Sequence, residues 1–467
     1  MQVFQIYKES GISNFLFLQN SGKPTILLKM KHSQHNINLR LLLTICALFI
    51  GAAFVVDGFI PTLSGFLKLQ TSPARLLSDF IEMQGIGPAF FNGAVVALIG
   101  IGLILISGVK FSGPTFAAVL TMLGFGLFGK TPVNILPIFL GVFLAAKTAK
   151  REFKEYLLIA LFGTALGPLV SFIAFELGGA QLSLLPAVFL GAGAGALTGF
   201  ILPAVAMSML HLHQGYNLYN IGLTCGFIGV FAASFFKTGA YTFASLPFWY
   251  SASHPVLIYI MPTVSVLLIL VGIILDKKTI LKNWISIQKQ SGRLPSDFFD
   301  LASLGSGLFN AGLIGIIGCI MVLLTGSSFN GPVLGGILTI IGFGAFGTHP
   351  RNSIPIILGV IISAVLFQLP LNSPGVILAI LFSTTLGPLA GQFGVLMGLL
   401  AGFIHMIMVS QTGSWHGAIN LYNNGFAGGL TAALLVAIIQ WFKSNTTINP
   451  NAMVKKAANK FFLKEDE

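Results

Sequence analysis

The sequence predicts an all-α integral membrane protein made of two copies of one seven-segment unit, and three observations carry that prediction. Apolar residues dominate: 55% of the chain is hydrophobic, only 8% is charged, and mean hydropathy is +0.89. A soluble domain has no way to hide so much apolar surface. The apolar runs are continuous and roughly 17–25 residues long, the length of helix that crosses a ~30 Å hydrocarbon layer, and they lack the in-out alternation of barrel strands. Finally, the chain repeats itself. GFGLFGKTPVNILPIFLGV at 124–142 returns without a gap as GFGAFGTHPRNSIPIILGV at 342–360, with 12 of 19 positions identical.

The register of the repeat extends well beyond that motif. A shift of 218 carries Asn92 onto Asn310, Gly113-Pro114 onto Gly331-Pro332, and Asn134 onto Asn352. The shift becomes 220 where FGTALGPL (162–169) matches FSTTLGPL (382–389), and 203 where NLYNIG (217–222) matches NLYNNG (420–425). Fourteen hydrophobic segments are expected, at 41–61, 89–108, 113–128, 131–147, 156–175, 184–210, 215–236, 256–275, 303–325, 331–347, 350–368, 374–393, 394–412 and 415–441. The first segment plus the shift lands on the eighth, so each unit has seven. An odd count sets tandem copies upside down in the bilayer, the inverted-repeat layout of many secondary transporters.

The domain plan follows from these limits. Residues 1–40 form a cytoplasmic N-terminal segment, with Met30 as an alternative start; 41–254 are membrane repeat A, 255–441 membrane repeat B, and 442–467 a cytoplasmic tail. Segment 41–61 has no small-residue cleavage site and is long enough to span, so it is expected to be a retained helix.

Charge orients the plan. With the termini inside, 21 Lys and Arg residues fall on the cytoplasmic side and only Lys68, Arg75, Lys130 and Lys237 on the outer side. That asymmetry is the expected signal of a multi-pass protein of the bacterial cytoplasmic membrane with both termini cytoplasmic. The net charge of +12 then belongs to loops facing anionic lipid. Nucleic acid is excluded as a partner because no soluble domain is large enough to present a basic surface. The expected partners are the lipid bilayer and a small-molecule solute, with homo-oligomerisation left open.

Absences narrow the chemistry. Cys46, Cys225 and Cys319 lie singly in apolar runs, so no disulfide or metal site is expected. Between Asp300 and Glu465 there is no acid at all, and Asp57 and Glu176 sit near the outer ends of spans. Paired carboxylates for acid–base work or for a magnesium site are missing, as are H-E-x-x-H and a serine nucleophile motif. No enzyme activity, catalytic residue, metal or cofactor is therefore expected.

What the copies share is neutral. Pro168 in TALGPL and Pro388 in TTLGPL lack an amide hydrogen and clash with the carbonyl four residues earlier, those of Thr164 and Thr384. A freed carbonyl beside a threonine hydroxyl reads either as a polar solute site in a broken helix or as a packing kink. Asn134 and Asn352 follow Pro132 and Pro350 at helix starts, where they either cap the helix or, if the GFGxFG loops re-enter the membrane, face a solute. Asn217 and Asn220, like Asn420 and Asn423, share a helix face and serve as solute ligands or interhelical glue. His213 and His416 precede them and are expected near opposite membrane surfaces. His405 lies in a span of one copy only and is the weak candidate for a coupling group.

Through the paired GFGxFG, TLGPL and NLYN motifs, over essentially its whole length, the chain resembles a bacterial family of multi-pass membrane proteins of unknown function. That resemblance implies no activity. The seven-plus-seven layout is similar in topology to nucleobase and sulfate transporters and, less closely, urea transporters are also duplicated, glycine-rich and poor in buried charge; no substrate motif carries over. The expected function is a transporter or channel for a small neutral or anionic solute, working by alternating access between the repeats. The alternative is a non-transporting receptor or scaffold that holds a cytoplasmic partner.

Overall fold

A computed structural model describes residues 24–177, 182–243 and 248–446. The expectations for residues 1–23 and 447–467 lie outside it. Among the described residues the chain is helical with no named strand; a single isolated bridge joins Ser78 to Phe248.

The duplication is reproduced helix by helix. The first half contains α1 (Pro24–Asp57), α2 (Phe59–Leu69), α3 (Phe80–Gln84), α4 (Ile86–Ile106), α5 (Gly113–Phe125), α6 (Pro132–Thr148), α7 (Leu157–Gly163), α8 (Gly167–Ser171), α9 (Leu184–His213) and α10 (Asn220–Thr238). The second half contains α11 (Pro255–Asp276), α12 (Ile280–Gln288), α13 (Phe298–Leu301), α14 (Leu304–Thr325), α15 (Gly331–Phe343), α16 (Pro350–Leu366), α17 (Pro374–Phe382), α18 (Gly387–Phe393), α19 (Val395–Trp415) and α20 (Asn423–Thr446). Each helix has its counterpart ten numbers later.

Ten helical stretches among the described residues are long and apolar enough to cross a membrane, and the short helices α2, α5, α6, α15 and α16 accompany them. This is an all-α multi-pass membrane protein. Its outer surface supports that assignment: Phe189, Leu197, Leu270 and Leu323 are exposed on long helices, an arrangement that suits lipid and not water. Ten of the expected segments correspond to the long stretches and four to α5, α6, α15 and α16. Two details differ from expectation. The first helix includes residues 24–40 of the segment assigned to the N-terminal region, and α2 is an additional short helix after the first span.

Small residues set the packing. α5 and α15 lie side by side and antiparallel: Gly124 meets Gly335, Gly342 meets Ala117, and the start of each helix reaches the loop after the other. A Cβ on Gly124 would lie 2.8 Å from the Gly335 Cα, closer than carbon atoms approach, so any larger residue would wedge the pair apart. α4 and α14 flank this pair and are backed by α1 and α11. α6 packs on α9 through Gly141 with Gly199, and α16 on α19 through Gly359 against Leu399 and Gly402 against Ile356. α10 and α20 cross in their first turns, where Gly222 meets Gly425. One apolar core cluster joins residues of both halves.

The GFGxFG loops are held inside this packing by two asparagines. Asn92 Nδ2 donates to Gly126 O at 2.6 Å and Lys130 O at 2.8 Å; Asn310 Nδ2 donates to Gly344 O and Thr348 O, both at 2.8 Å. Asn92 stands two turns into α4, so the loop it holds lies roughly 10 Å along that helix from its start. Replacing Asn92 or Asn310 by Ala leaves two buried carbonyls without donors. Each change is expected to lower stability by about 1–3 kcal/mol, equally in the two copies, as read by denaturant titration in detergent.

Candidate functional site

A cavity of about 1500 Å³ enters the bundle from one face. Its mouth is lined by polar residues, among them Glu155, His211, Gln214, Arg293 and Asp300. Its deeper wall consists of matched residues from the two copies: Thr121 with Thr339, Phe125 with Phe343, Phe162 with Phe382, Leu218 with Leu421, Tyr219 with Tyr422, and Gly222 with Gly425. The first-turn residues of α10 and α20 are therefore part of the wall.

Behind that wall lies a lysine. Lys130, expected as a water-facing charge in an outer loop, is fully buried. The preceding Gly129 turns the chain inward with φ +99, where a side chain would also strike Leu421. Lys130 Nζ donates to Tyr422 Oη at 2.7 Å and sits 4.8 Å from the Tyr422 ring centroid and 5.3 Å from that of Phe125. None of the ion pairs among the described residues includes it. In the second copy its place is taken by Thr348, whose buried hydroxyl has no hydrogen-bond partner among the described residues. Arg75, the other expected outer-loop cation that proves buried, differs: it forms a two-point ion pair with Glu176, Nε to Oε1 at 3.1 Å and Nη2 to Oε2 at 3.0 Å.

Two acids outside the spans tie the copies together in a crossed pattern. Asp79 Oδ1 accepts from Ile81 N of its own copy at 3.0 Å and from Gly331 N, at the start of α15, at 3.2 Å; Oδ2 accepts from Tyr250 N. Asp297 Oδ1 accepts from Phe299 N, and Oδ2 from Gly113 N, at the start of α5. Each copy thus caps the central helix of the other with a carboxylate, at the helix end that attracts negative charge. Burial pushes the Asp79 carboxyl up to about 7 and that of Asp297 up to about 6, against the opposing pull of the backbone N–H donors.

The sequence-derived candidates divide by position. Thr164 and Thr384 are buried and their hydroxyls turn back on their own helices, to Leu161 O at 2.6 Å and Leu381 O at 3.1 Å. The carbonyls expected to be freed there are occupied by Gly167 N and Gly387 N, because the chain tightens to a 3-10 turn ahead of Pro168 and Pro388. The break instead presents the next carbonyls, and the opposite copy takes them: Leu421 N donates to Ala165 O and Leu218 N to Thr385 O, both at 3.0 Å. Each NLYN segment therefore closes the broken helix of the other copy.

Asn134 and Asn352 are fully buried in capping boxes with Thr131 and His349, and also donate to Gly129 O and Gly347 O. Asn217 Oδ1 accepts from Thr385 Oγ1 at 2.5 Å and its Nδ2 donates to Gly425 O at 3.2 Å. Asn420 has Ala165 where Asn217 has Thr385, and its buried Nδ2 is left without an acceptor. Asn220 and Asn423 pair with His213 at 2.9 Å and His416 at 3.1 Å. Those histidines are buried, not interfacial as expected, because each folds back onto the NLYN segment that follows it. His405 Nε2 lies 3.1 Å from Asn424 Oδ1. Of these candidates Asn220 lines the cavity, and Asn424 links His405 to it.

The sequence reading missed Lys130, Asp79 and Asp297. Signals for all three were present: Lys130 is a charge in one copy of an otherwise matched apolar motif, and Ser78-Asp79-Phe80 returns as Ser296-Asp297-Phe298.

A family described as "Protein of unknown function (DUF1576)" matches residues 60–238 and 276–441. The chain belongs to this family. No curated protein matches it. No solved structure matches it either. Family membership thus leaves the chemistry to the residues.

Both raised carboxyls favour their protonated form in the folded protein. Their contribution is complete below the ordinary aspartate range and is lost as pH rises through about 6 for Asp297 and about 7 for Asp79. The thermal midpoint in detergent is expected to fall from about pH 5 to about pH 8, and an Asp79→Asn, Asp297→Asn double variant to flatten that slope. An unchanged slope would show that these carboxyls do not set it.

Proposed function

We propose that the protein carries a small neutral or anionic solute across the bacterial cytoplasmic membrane by alternating access between inverted repeats, without catalysing a reaction. One observation carries the reading: the deep wall of the cavity is made of equivalent residues from both copies. A site shared in this way reads the same from either side of the membrane, so exchanging the conformations of the two copies converts an opening on one face into an opening on the other. The antiparallel pairing of α5 with α15 supports inverted insertion.

Orientation follows from charge. The cavity mouth lies among Glu155, Arg293 and neighbouring Lys154, in the basic stretches assigned to the cytoplasm, so this conformation is the inward-open one. In this reading the Lys130–Tyr422 contact, which joins the two copies behind the deep wall, closes the other direction.

Purified protein in liposomes, assayed with a panel of small neutral, anionic and cationic solutes, is expected to show saturable flux for a neutral or anionic member. Leu421→Trp, which fills the deep wall, is expected to cut that flux at least about tenfold while the protein stays monodisperse. Absence of flux for every class would overturn the reading in favour of a receptor or scaffold.

A further inference from the structure

We propose that the deep wall of the cavity is an anion site, taking the negatively charged head of a small organic monoanion whose apolar body lies among Phe125, Phe162, Phe343 and Phe382. The assignment of that anion as cargo rests on the transport reading above; its binding does not.

The charge balance at this place asks for an anion. Lys130 is completely buried and, among the described residues, gives one hydrogen bond, to Tyr422, and has no carboxylate partner. An ammonium removed from water without a counter-charge is costly, and membrane proteins keep such groups where a partner or a pathway needs them. Tyr422 lines the cavity, and while its oxygen accepts from Lys130 its own O–H remains available to donate to a ligand.

Helix ends add to the same sign. α10 and α20, of 19 and 24 residues, meet by their first turns at Gly222 and Gly425, and neither carries an acid there. Two positive helix ends brought together repel each other unless negative charge joins them. Lys130 itself immediately precedes Thr131, the N-cap of α6, which also has no acid in its first turn. One residue before the cavity-lining Leu421, Asn420 has a buried amide donor with no acceptor among the described residues, whereas its counterpart Asn217 is satisfied by Gly425 O.

The ligand's outline follows. One lysine, with Thr348 at the equivalent place, matches one negative charge. Aromatic walls match an apolar body. Carboxylate and sulfonate heads carry that single charge, and a phosphate-monoester head, closer to two charges at neutral pH, tests whether the charge must match.

Full-length protein in detergent is titrated with benzoate, benzenesulfonate, phenyl phosphate, neutral benzamide and cationic benzylammonium, following heat of binding and thermal midpoint. At least one anion is expected to bind and raise the midpoint, whereas benzamide and benzylammonium do neither. Lys130→Met is expected to weaken that binding by ~30-fold or more, as removal of one partner from a desolvated charge pair does. Lys130→Arg keeps it within a few fold, and provides the comparison, with Tyr422→Phe weakening it, should the Met variant not fold. The head that binds most tightly identifies the ligand's source. No binding by any of the three anions, equal binding of benzamide, or anion binding unchanged by loss of the lysine would overturn the site. Flux of a neutral solute that persists in Lys130→Met would remove this site from transport while leaving the transport reading standing; anion binding without flux of any solute would do the reverse.

Discussion

Glycine against glycine across the two copies is the contact on which the rest depends. Where Gly124 meets Gly335, and Gly222 meets Gly425, no side chain stands between backbones. In a bilayer there is little hydrophobic drive to press helices together, so close approach and many small dispersion contacts must do it. That approach brings the central helices into reach of Asp79 and Asp297 from the opposite copy, and brings the NLYN segments to the carbonyls released by the broken helices. Each copy is thereby completed by the other, and neither half closes its own polar groups alone.

The polar groups at the centre divide into satisfied and unsatisfied ones, and the division has meaning. Asn92, Asn134, Asn310 and Asn352 spend their amides on the backbone of the GFGxFG loops. These loops are buried, as irregular backbone at membrane depth must be when it does not line water. Lys130, Thr348 and Asn420 are among the described residues at which the two copies differ or leave a polar group unmatched.

Much of the architecture was legible in the sequence because hydrophobic length and repetition are read directly from it. The proline at the start of α6 and α16, the paired asparagines that follow, and the helix breaks at TLGPL all appear in the structure. The site was less legible. Thr164 and Thr384 promised free carbonyls by the four-residue rule of an α-helix, but a 3-10 turn moved the free position to Ala165 and Thr385. Lys130 looked like a loop charge because a short apolar helix followed by Gly and Lys reads as a membrane exit. Only three-dimensional packing of α5 against α15, and of the following loop beneath Asn92, reveals that the chain has not reached water there.

The central claim is that one shared wall is reached from the two membrane faces in turn. Its most direct test places a single cysteine at Leu421, in a background lacking Cys46, Cys225 and Cys319, and labels it with a membrane-impermeant reagent from each face of oriented vesicles. The account predicts labelling from the cytoplasmic face at rest and from both faces while solute is being exchanged. Labelling from the outer face alone, or from neither face under any condition, would contradict it.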